Sequence, residues 1–383
     1  MLPLRRSGFE PEPDVADLVE YVVGLAPLVD VTVVDGSAEV LFDDLGARLR
    51  RAGPVPRVRH VRPDPWPGGN GKVGSVVTGV RRARHERVVI ADDDVRYTAD
   101  VLQAVTAALG PPEAGGDRAD LVRPHNVFSP LPWHARWDTA RSLVAVALGH
   151  DHPGTFALRR STFLAAGGYA GDVLFENLEL VRTLRAAGGV VAHRPDLHVV
   201  RRPPATVHFL GQRVRQAYDD LAQPARFAAE AALAPAVLAA SLRSRRSGRR
   251  GGRRTAAVLA LAAAGVAEAG RRRLGRPAAV PPSAAGWAPL WLAERAVCVW
   301  LALAHRARGG MPYRGARLPV AAHRTRDLRS RPRPPLTALH DGGRRARPPL
   351  VVDLRGADRP AGAGAPEPGG TTHAGPGGGR QAG

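Results

Sequence analysis

Three consecutive aspartates, Asp92, Asp93 and Asp94, follow the apolar run Val88-Val89-Ile90-Ala91. Side chains alternate along an extended strand, so Asp92 and Asp94 can turn to one side. Hard carboxylates at a strand end suit Mg²⁺ or Mn²⁺, which usually bind through one or two protein carboxylates plus substrate phosphates. An acidic turn capping the next helix would use the same residues. Upstream, Gly68-Gly69-Asn70-Gly71-Lys72 holds the only lysine of the chain; every other cation is arginine. Lys72 can contact the diphosphate or base of a nucleotide donor. The glycine cluster lacks the Walker spacing and the Ser/Thr after lysine, and an ordinary flexible turn would look similar.

Further candidates follow the same logic. Asp35 ends the strand-like run Val31-Thr32-Val33-Val34, where a carboxylate can recognise a nucleoside base or ribose, or build a strand-end turn with Gly36. Glu176 and Glu179 sit three positions apart at a helix start; a carboxylate at a cleft mouth can take a proton from an attacking hydroxyl, and a first-turn acid also complements the helix dipole. Gln212 and Arg215, side by side on a helix, can line an active site and grip a diphosphate or an acceptor, or form a polar face.

The elements that must position these residues read as a layered α/β domain with a mostly parallel sheet. Strands are expected at 29–34, 58–61, 88–91, 120–123, 154–158 and 190–193, and helices at 14–25, 73–84 and 99–109. In such sheets ligands sit at the carboxyl ends of strands, where Asp35 and Asp92 to Asp94 fall.

At 383 residues and a net charge of +20, the chain is long enough for one large domain with an appendage. From residue 224 onward, alanine-rich apolar segments at 225–242, 255–269 and 284–304 alternate with arginine clusters. A helix of ~15 residues rises ~22 Å, short of the ~30 Å hydrocarbon core, so 255–269 is marginal as a span. A span there would also put its flanking arginines on opposite sides of the membrane, against the positive-inside rule. Helices lying in or dipping into the interface of an anionic membrane are therefore expected ahead of an integral three-span anchor through 225–304, with a buried helical subdomain as a further alternative. Long apolar runs argue against nucleic acid as a partner. Residues 324–383, rich in Pro, Gly and Arg, are expected to be a disordered tail. The lone Cys298 excludes a disulfide framework and a multi-cysteine metal site. The segment after Met1 shows no secretory apolar stretch, which places the first domain in the cytosol, at the cytoplasmic face of the membrane.

In this order, the motifs resemble the family 2 glycosyltransferases of the GT-A fold, with some likeness to ceramide glucosyltransferase-like members. The resemblance covers about residues 1–220. It is carried by Asp35, the Gly-Lys72 helix, Asp92-x-Asp94, Gly154 to Arg160 with Gly167-Gly168-Tyr169, Glu176-Asn177 and Gln212-x-x-Arg215. It implies that Asp35 binds the base, Asp92 and Asp94 hold a metal on the donor diphosphate, the Glu176 region supplies the base, and Gln212 and Arg215 line the site. The chain departs from the family in three places: only the end of a first strand is present (Leu2-Pro3-Leu4-Arg5), Asn177 stands where the family has its aspartate base, and Gln216 replaces the Trp of processive enzymes.

The resulting expectation is a GT-A nucleotide-diphospho-sugar transferase domain (1–223), an apolar and basic helical membrane-associating segment (224–323) and a tail (324–383). Its activity would be inverting, metal-dependent transfer from a nucleotide-diphosphate sugar, a uridine or guanosine donor first of all, to a lipid-linked or membrane-held hydroxyl. The alternatives are a catalytically weak or dead scaffold of this fold, kept open by Asn177, and a nucleotidyltransferase. The latter should carry its glycine-rich signature directly after the first strand, where residues 5–14 hold one glycine.

Overall fold

The computed structural model describes residues 1–8, 12–110, 119–149, 153–246 and 251–339. The first half runs β1 (Leu2–Leu4), α1 (Glu12–Leu25), β2 (Val31–Asp35), α2 (Glu39–Arg51), β3 (Val58–Val61), α3 (Gly71–Arg82), β4 (Arg87–Ala91), β5 (Val95–Arg96), α4 (Ala99–Ala107), β6 (Leu121–Phe128) and α5 (Trp133–Ala147). The second runs β7 (Thr155–Arg159), α6 (Arg160–Ala165), α7 (Glu176–Ala186), β8 (Val191–Arg201), α8 (Thr206–Gly211), α9 (Arg213–Asp219), α10 (Pro224–Arg246), α11 (Gly251–Arg273), α12 (Pro282–Ala285), α13 (Ala288–Ala307), β9 (Met311–Tyr313), β10 (Ala316–Leu318) and α14 (Thr325–Ser330).

Strands β1, β2 and β3 form the expected parallel sheet. β4 adjoins β1, since the Ala91 N–H donates to the Met1 carbonyl at 3.1 Å. Beyond β4 the sheet becomes mixed: β7 is antiparallel to both β4 and β6, β8 is parallel to β6, and β5 is antiparallel to β8. β2 is buried along its whole length, which fits its valines at 31, 33 and 34 on both faces of the strand. In α3, Val73, Val76, Val77 and Val80 repeat at helical spacing and pack against Val88, Ile90, Phe156 and Leu158. That contact seats the amino end of α3 beside the carboxyl end of β4. Asn70 caps α3, accepting from the Lys72 N–H at 3.2 Å and donating to the Val173 carbonyl at 3.0 Å.

The segment expected over 224–323 is helical, but it is not set apart from the α/β domain, because the chain through residue 340 is one compact unit. Ala263 and Ala267 of α11 and Trp291 of α13 share a core with Ala140, Leu143 and Val144 of α5. A Cβ on Gly270 would overlap the Leu143 carbonyl oxygen, so α11 touches α5 at backbone distance. Among the described residues two stretches, Pro224–Ser244 and Pro282–Ala307, are long and apolar enough to cross a membrane; α11 is not one of them. α13 buries Arg295 completely, with Nη1 3.3 Å from Asp220 Oδ2. Separating such a pair leaves uncompensated buried charge, at about 3–5 kcal/mol, which holds α13 against the domain.

Residues 324–339, expected to belong to a disordered tail, are structured. α14 is ordered, Leu336 packs against the central core, and its N–H donates to the Leu164 carbonyl at 2.8 Å. Residues 340–383 lie outside the described residues.

The docking of α11 is testable by one substitution at two positions of the same helix. Nothing lies within 4 Å of a Cβ on Gly265, so Gly265→Ala should be neutral or gain up to about 1 kcal/mol of helix propensity. Gly270→Ala should instead lose about 1–3 kcal/mol, because the backbone of α5 must shift. Equal effects in urea denaturation would show that α11 does not rest on α5.

Candidate active site

Most of the candidate residues, Lys72, Asp92, Asp94, Glu176, Gln212 and Arg215, converge on one cavity of about 480 Å³. Its walls come from the ends of β4 and β8, the amino ends of α3 and α7, and α9. A volume of this order suits a nucleotide-sized ligand.

Lys72 stands at the centre. Its Nζ lies 2.6 Å from Asp92 Oδ1 and 2.7 Å from Glu176 Oε1. Burial works against its charge, but Asp92 and Glu176 outweigh burial and hold its pKa above the ordinary lysine value. A second pair joins Asp94 Oδ2 to Arg201 Nε at 2.8 Å. Asp94 nonetheless has a raised pKa, because burial and the nearby Asp92 exceed the pull of Arg201. Asp93, also in the cavity wall, is raised by its confinement and by the charges of Asp94 and Asp92.

Asp92 and Asp94 fit a hard divalent cation. Both face the cavity, Asp94 Oδ1 is buried without a hydrogen-bond partner, and a Cβ at Gly154 would stand 2.6 Å from Asp92 Oδ2. The space beside that carboxylate therefore depends on glycine. Among the described residues no group of three or more His, Cys, Asp or Glu forms a metal cage. A cation here would need ligand phosphates to complete its shell.

Glu176 lines the cavity, is 6% exposed, and has Oε2 buried without a partner. Burial raises its pKa against the opposing Lys72 charge, and Asp92 adds to the rise. Gln212 and Arg215 also line the cavity; Gln212 touches His208, and the Arg215 guanidinium sits 5.2 Å from the Tyr313 ring centre. Asn177 lines it too, its Nδ2 donating to the Pro153 carbonyl at 3.1 Å.

Two expected site residues are elsewhere. Asp35 is fully buried outside the cavity wall, accepting from the Ser37 N–H at 2.8 Å and from the Ser37 hydroxyl, with His60 Nε2 at 3.0 Å. Burial would raise its carboxyl, but the hydrogen bonds from His60 and Ser37 bring it below the usual range. Its neighbour Gly36 faces the cavity instead. Glu179 is also fully buried outside it, and accepts from the His323 N–H at 2.8 Å, with His323 Nδ1 at 2.9 Å. It anchors the segment leading into α14 and cannot reach an acceptor in the cavity.

The glycine cluster before Lys72 serves a close backbone contact. Gly68 has φ +106°, a Cβ there would overlap Gly171, and the Asn70 N–H donates to the Gly171 carbonyl at 2.8 Å. Sequence reading missed Arg201, which ends β8, and Asp219, Arg226 and Arg295, which also line the cavity. Asp219 had an available signal, since it continues the face of Gln212 and Arg215 by one helical turn.

The Glu179–His323 contact gives a pH dependence. The hydrogen bond that the His323 ring donates to Glu179 raises the His323 pKa above 6.5, with Glu179 and Asp172 charges adding against burial. A raised folded-state value means that this stabilisation is full below the unfolded value and fades as pH rises through the folded one. Wild-type melting temperature should fall between about pH 6 and about pH 8, and Glu179→Gln should flatten that component while losing about 1–3 kcal/mol. An unchanged pH slope in Glu179→Gln would remove the contact from the account.

Residues 44–116 match the model of glycosyl transferase family 21. Among solved structures the chain is similar to a mannosyltransferase from Pyrobaculum calidifontis in complex with GDP-Man and Mn²⁺, at 18% identity over 78% of this chain and 86% of that one, TM-score 0.46. It is also similar to glucosyl-3-phosphoglycerate synthase from Mycobacterium tuberculosis in complex with Mn²⁺, uridine-diphosphate and phosphoglyceric acid, at 17% identity over 55% and 72% of the two chains, TM-score 0.35. No curated protein matches. The family match takes in Lys72 and the three aspartates, and with the α/β sheet that carries them it marks this part of the chain as a glycosyltransferase domain of the GT-A type.

Proposed function

We propose that the chain transfers a sugar from a nucleoside-diphosphate sugar to a hydroxyl acceptor held at a membrane surface, with inversion at the anomeric carbon. The observation that carries this reading is the meeting of Asp92, Asp94, Lys72 and Glu176 in one cavity. Asp92 and Asp94 would hold Mg²⁺ or Mn²⁺, which neutralises charge growing on the departing diphosphate. Lys72 adds a fixed positive charge on the same side, and Arg215 contributes another from α9. Gln212 and Arg215 bound the space left for the acceptor. Solved structures similar in outline hold GDP-Man or uridine-diphosphate with Mn²⁺, which makes guanosine and uridine donors the first to try.

The membrane part of the proposal rests on the outer faces of α10, α11 and α13. Leu238, Leu242, Val258, Leu261, Val297 and Trp300 are exposed there. α11 rests on α5 through Ala263, Ala267 and Gly270, and Arg253 and Arg254 near its amino end and Arg272 near its carboxyl end are exposed. An interfacial helix uses this arrangement of apolar side chains between basic ends, and anionic headgroups supply the matching charge. The cytoplasmic leaflet fits that charge preference.

Two measurements test the proposal. A thermal-shift panel of nucleoside diphosphates with and without Mn²⁺ should show a stabilisation that needs both the metal and one nucleotide, and that is absent in Asp92→Ala/Asp94→Ala. No shift with any nucleotide would contradict the donor site. In flotation with vesicles containing anionic phospholipid, the full chain should rise with the lipid, and Leu261→Glu/Trp300→Glu should shift most of it to the soluble fraction. Flotation unaffected by the substitutions, or absent in the wild type, would contradict the membrane surface.

A further inference from the structure

The cavity continues past the donor residues along α9. Gln212, Arg215, Gln216 and Asp219, spaced by three, one and three positions, all line it, and Asp219 stands at the end where α9 meets α10 and α13. Of the carboxylates near this end, Asp220 is engaged by Arg226 Nε at 3.2 Å and by Arg295 Nη1 at 3.3 Å. Asp138 is paired with Arg141 at 2.8 Å, and despite its burial Arg141 and Arg213 hold its pKa well below the usual carboxylate range. Glu176 Oε1 is committed to Lys72. Asn177, at the position that a base would take by resemblance, carries an amide whose nitrogen is already donating to Pro153. Asp219 is half-buried in the wall and its Oδ1 has no hydrogen-bond partner; Glu176 Oε2 is likewise unpartnered, but that carboxylate is held by Lys72 through its other oxygen.

We infer that Asp219 is the group that takes the proton from the attacking hydroxyl, an assignment that rests on the transferase reading above. In the step, the Asp219 carboxylate accepts the O–H proton while the hydroxyl oxygen forms its bond to the anomeric carbon. The bond from that carbon to the diphosphate oxygen breaks, and its electron pair leaves with the nucleoside diphosphate. A base works best when its pKa lies near the working pH. Burial pushes Asp219 up, Arg215 on α9 opposes it, Asp220 and Glu176 add to the rise, and Arg295 on α13 opposes it, with a result of about 7. Arg226 of α10 is turned to Asp220 and Glu230 and is engaged there.

Water can replace the acceptor, so slow hydrolysis of the donor reports on the same base. The test compares wild type, Asp219→Asn and Asp219→Glu in Mn²⁺ with a panel of UDP- and GDP-sugars, alongside the nucleoside diphosphate thermal shift. The expected result is a hydrolysis rate about 10²- to 10⁴-fold lower in Asp219→Asn with its nucleotide shift intact, and partial recovery in Asp219→Glu. The wild-type rate should rise with pH through about 7 as the carboxylate loses its proton, and Asp219→Asn should lose that limb. Hydrolysis unchanged in Asp219→Asn, or lost together with nucleotide binding and not restored by Asp219→Glu, would overturn the assignment while leaving the donor site standing. A wild type that binds no nucleotide would overturn the transferase reading, and this assignment with it.

Discussion

Lys72 placed between Asp92 and Glu176 is the interaction on which the rest of the site depends. It joins the start of α3 and the end of β4, neighbours in sequence, to the start of the distant α7. Charges at such separations attract by about 6 kcal/mol at an effective dielectric near 20, and desolvation takes back several kcal/mol per ion. The net stability gained is therefore small, whereas the penalty for losing one partner is large. The triad defines a position more than it adds stability. Arg201 performs the same service for Asp94 from the end of β8. Both strand-end carboxylates are thus held at the cavity by cations, at the place where a metal and its phosphates would replace those partners.

The helical layer after residue 224 completes this site from the other side. Arg295 on α13 is buried against Asp220, and Asp220 also receives Arg226 from α10. These contacts fix the end of α9, which carries Gln212, Arg215, Gln216 and Asp219 into the cavity. The helices that expose apolar side chains outward are the same ones that shape the inner wall. A change at the surface of α10 or α13 has a short route to the residues that would face an acceptor.

Periodic, locally encoded parts of the fold were legible in the amino-acid sequence. β3 occupies the four residues expected, and α3 begins within two residues of its expected start, because valines at helical spacing and a capping asparagine mark it. β8 was expected to end at residue 193 but runs to Arg201, since His, Pro and Asp break the apolar pattern while β6 still pairs with it across a register shift at Pro124/His125. Arg201 was missed for that reason. Asp92, Asp94, Lys72, Glu176, Gln212 and Arg215 were all placed at one cavity. Asp35 and Glu179 were misjudged because their partners, His60 and His323, come from segments whose approach only the tertiary fold decides. The arginine clusters were easy to see, yet the docking of α11 on α5 depends on Gly270, which carries no side chain to signal it.

The central claim, that the β4 carboxylates and Lys72 form a metal-assisted diphosphate site, is tested most directly by anomalous diffraction from crystals grown with Mn²⁺ and a nucleoside diphosphate. The account predicts a manganese peak bonded to Asp92 and Asp94 within the cavity, with the diphosphate completing its shell and Lys72 turned toward phosphate oxygen. A manganese peak and nucleotide elsewhere on the protein, with the Lys72 contacts to Asp92 and Glu176 unchanged, would contradict it.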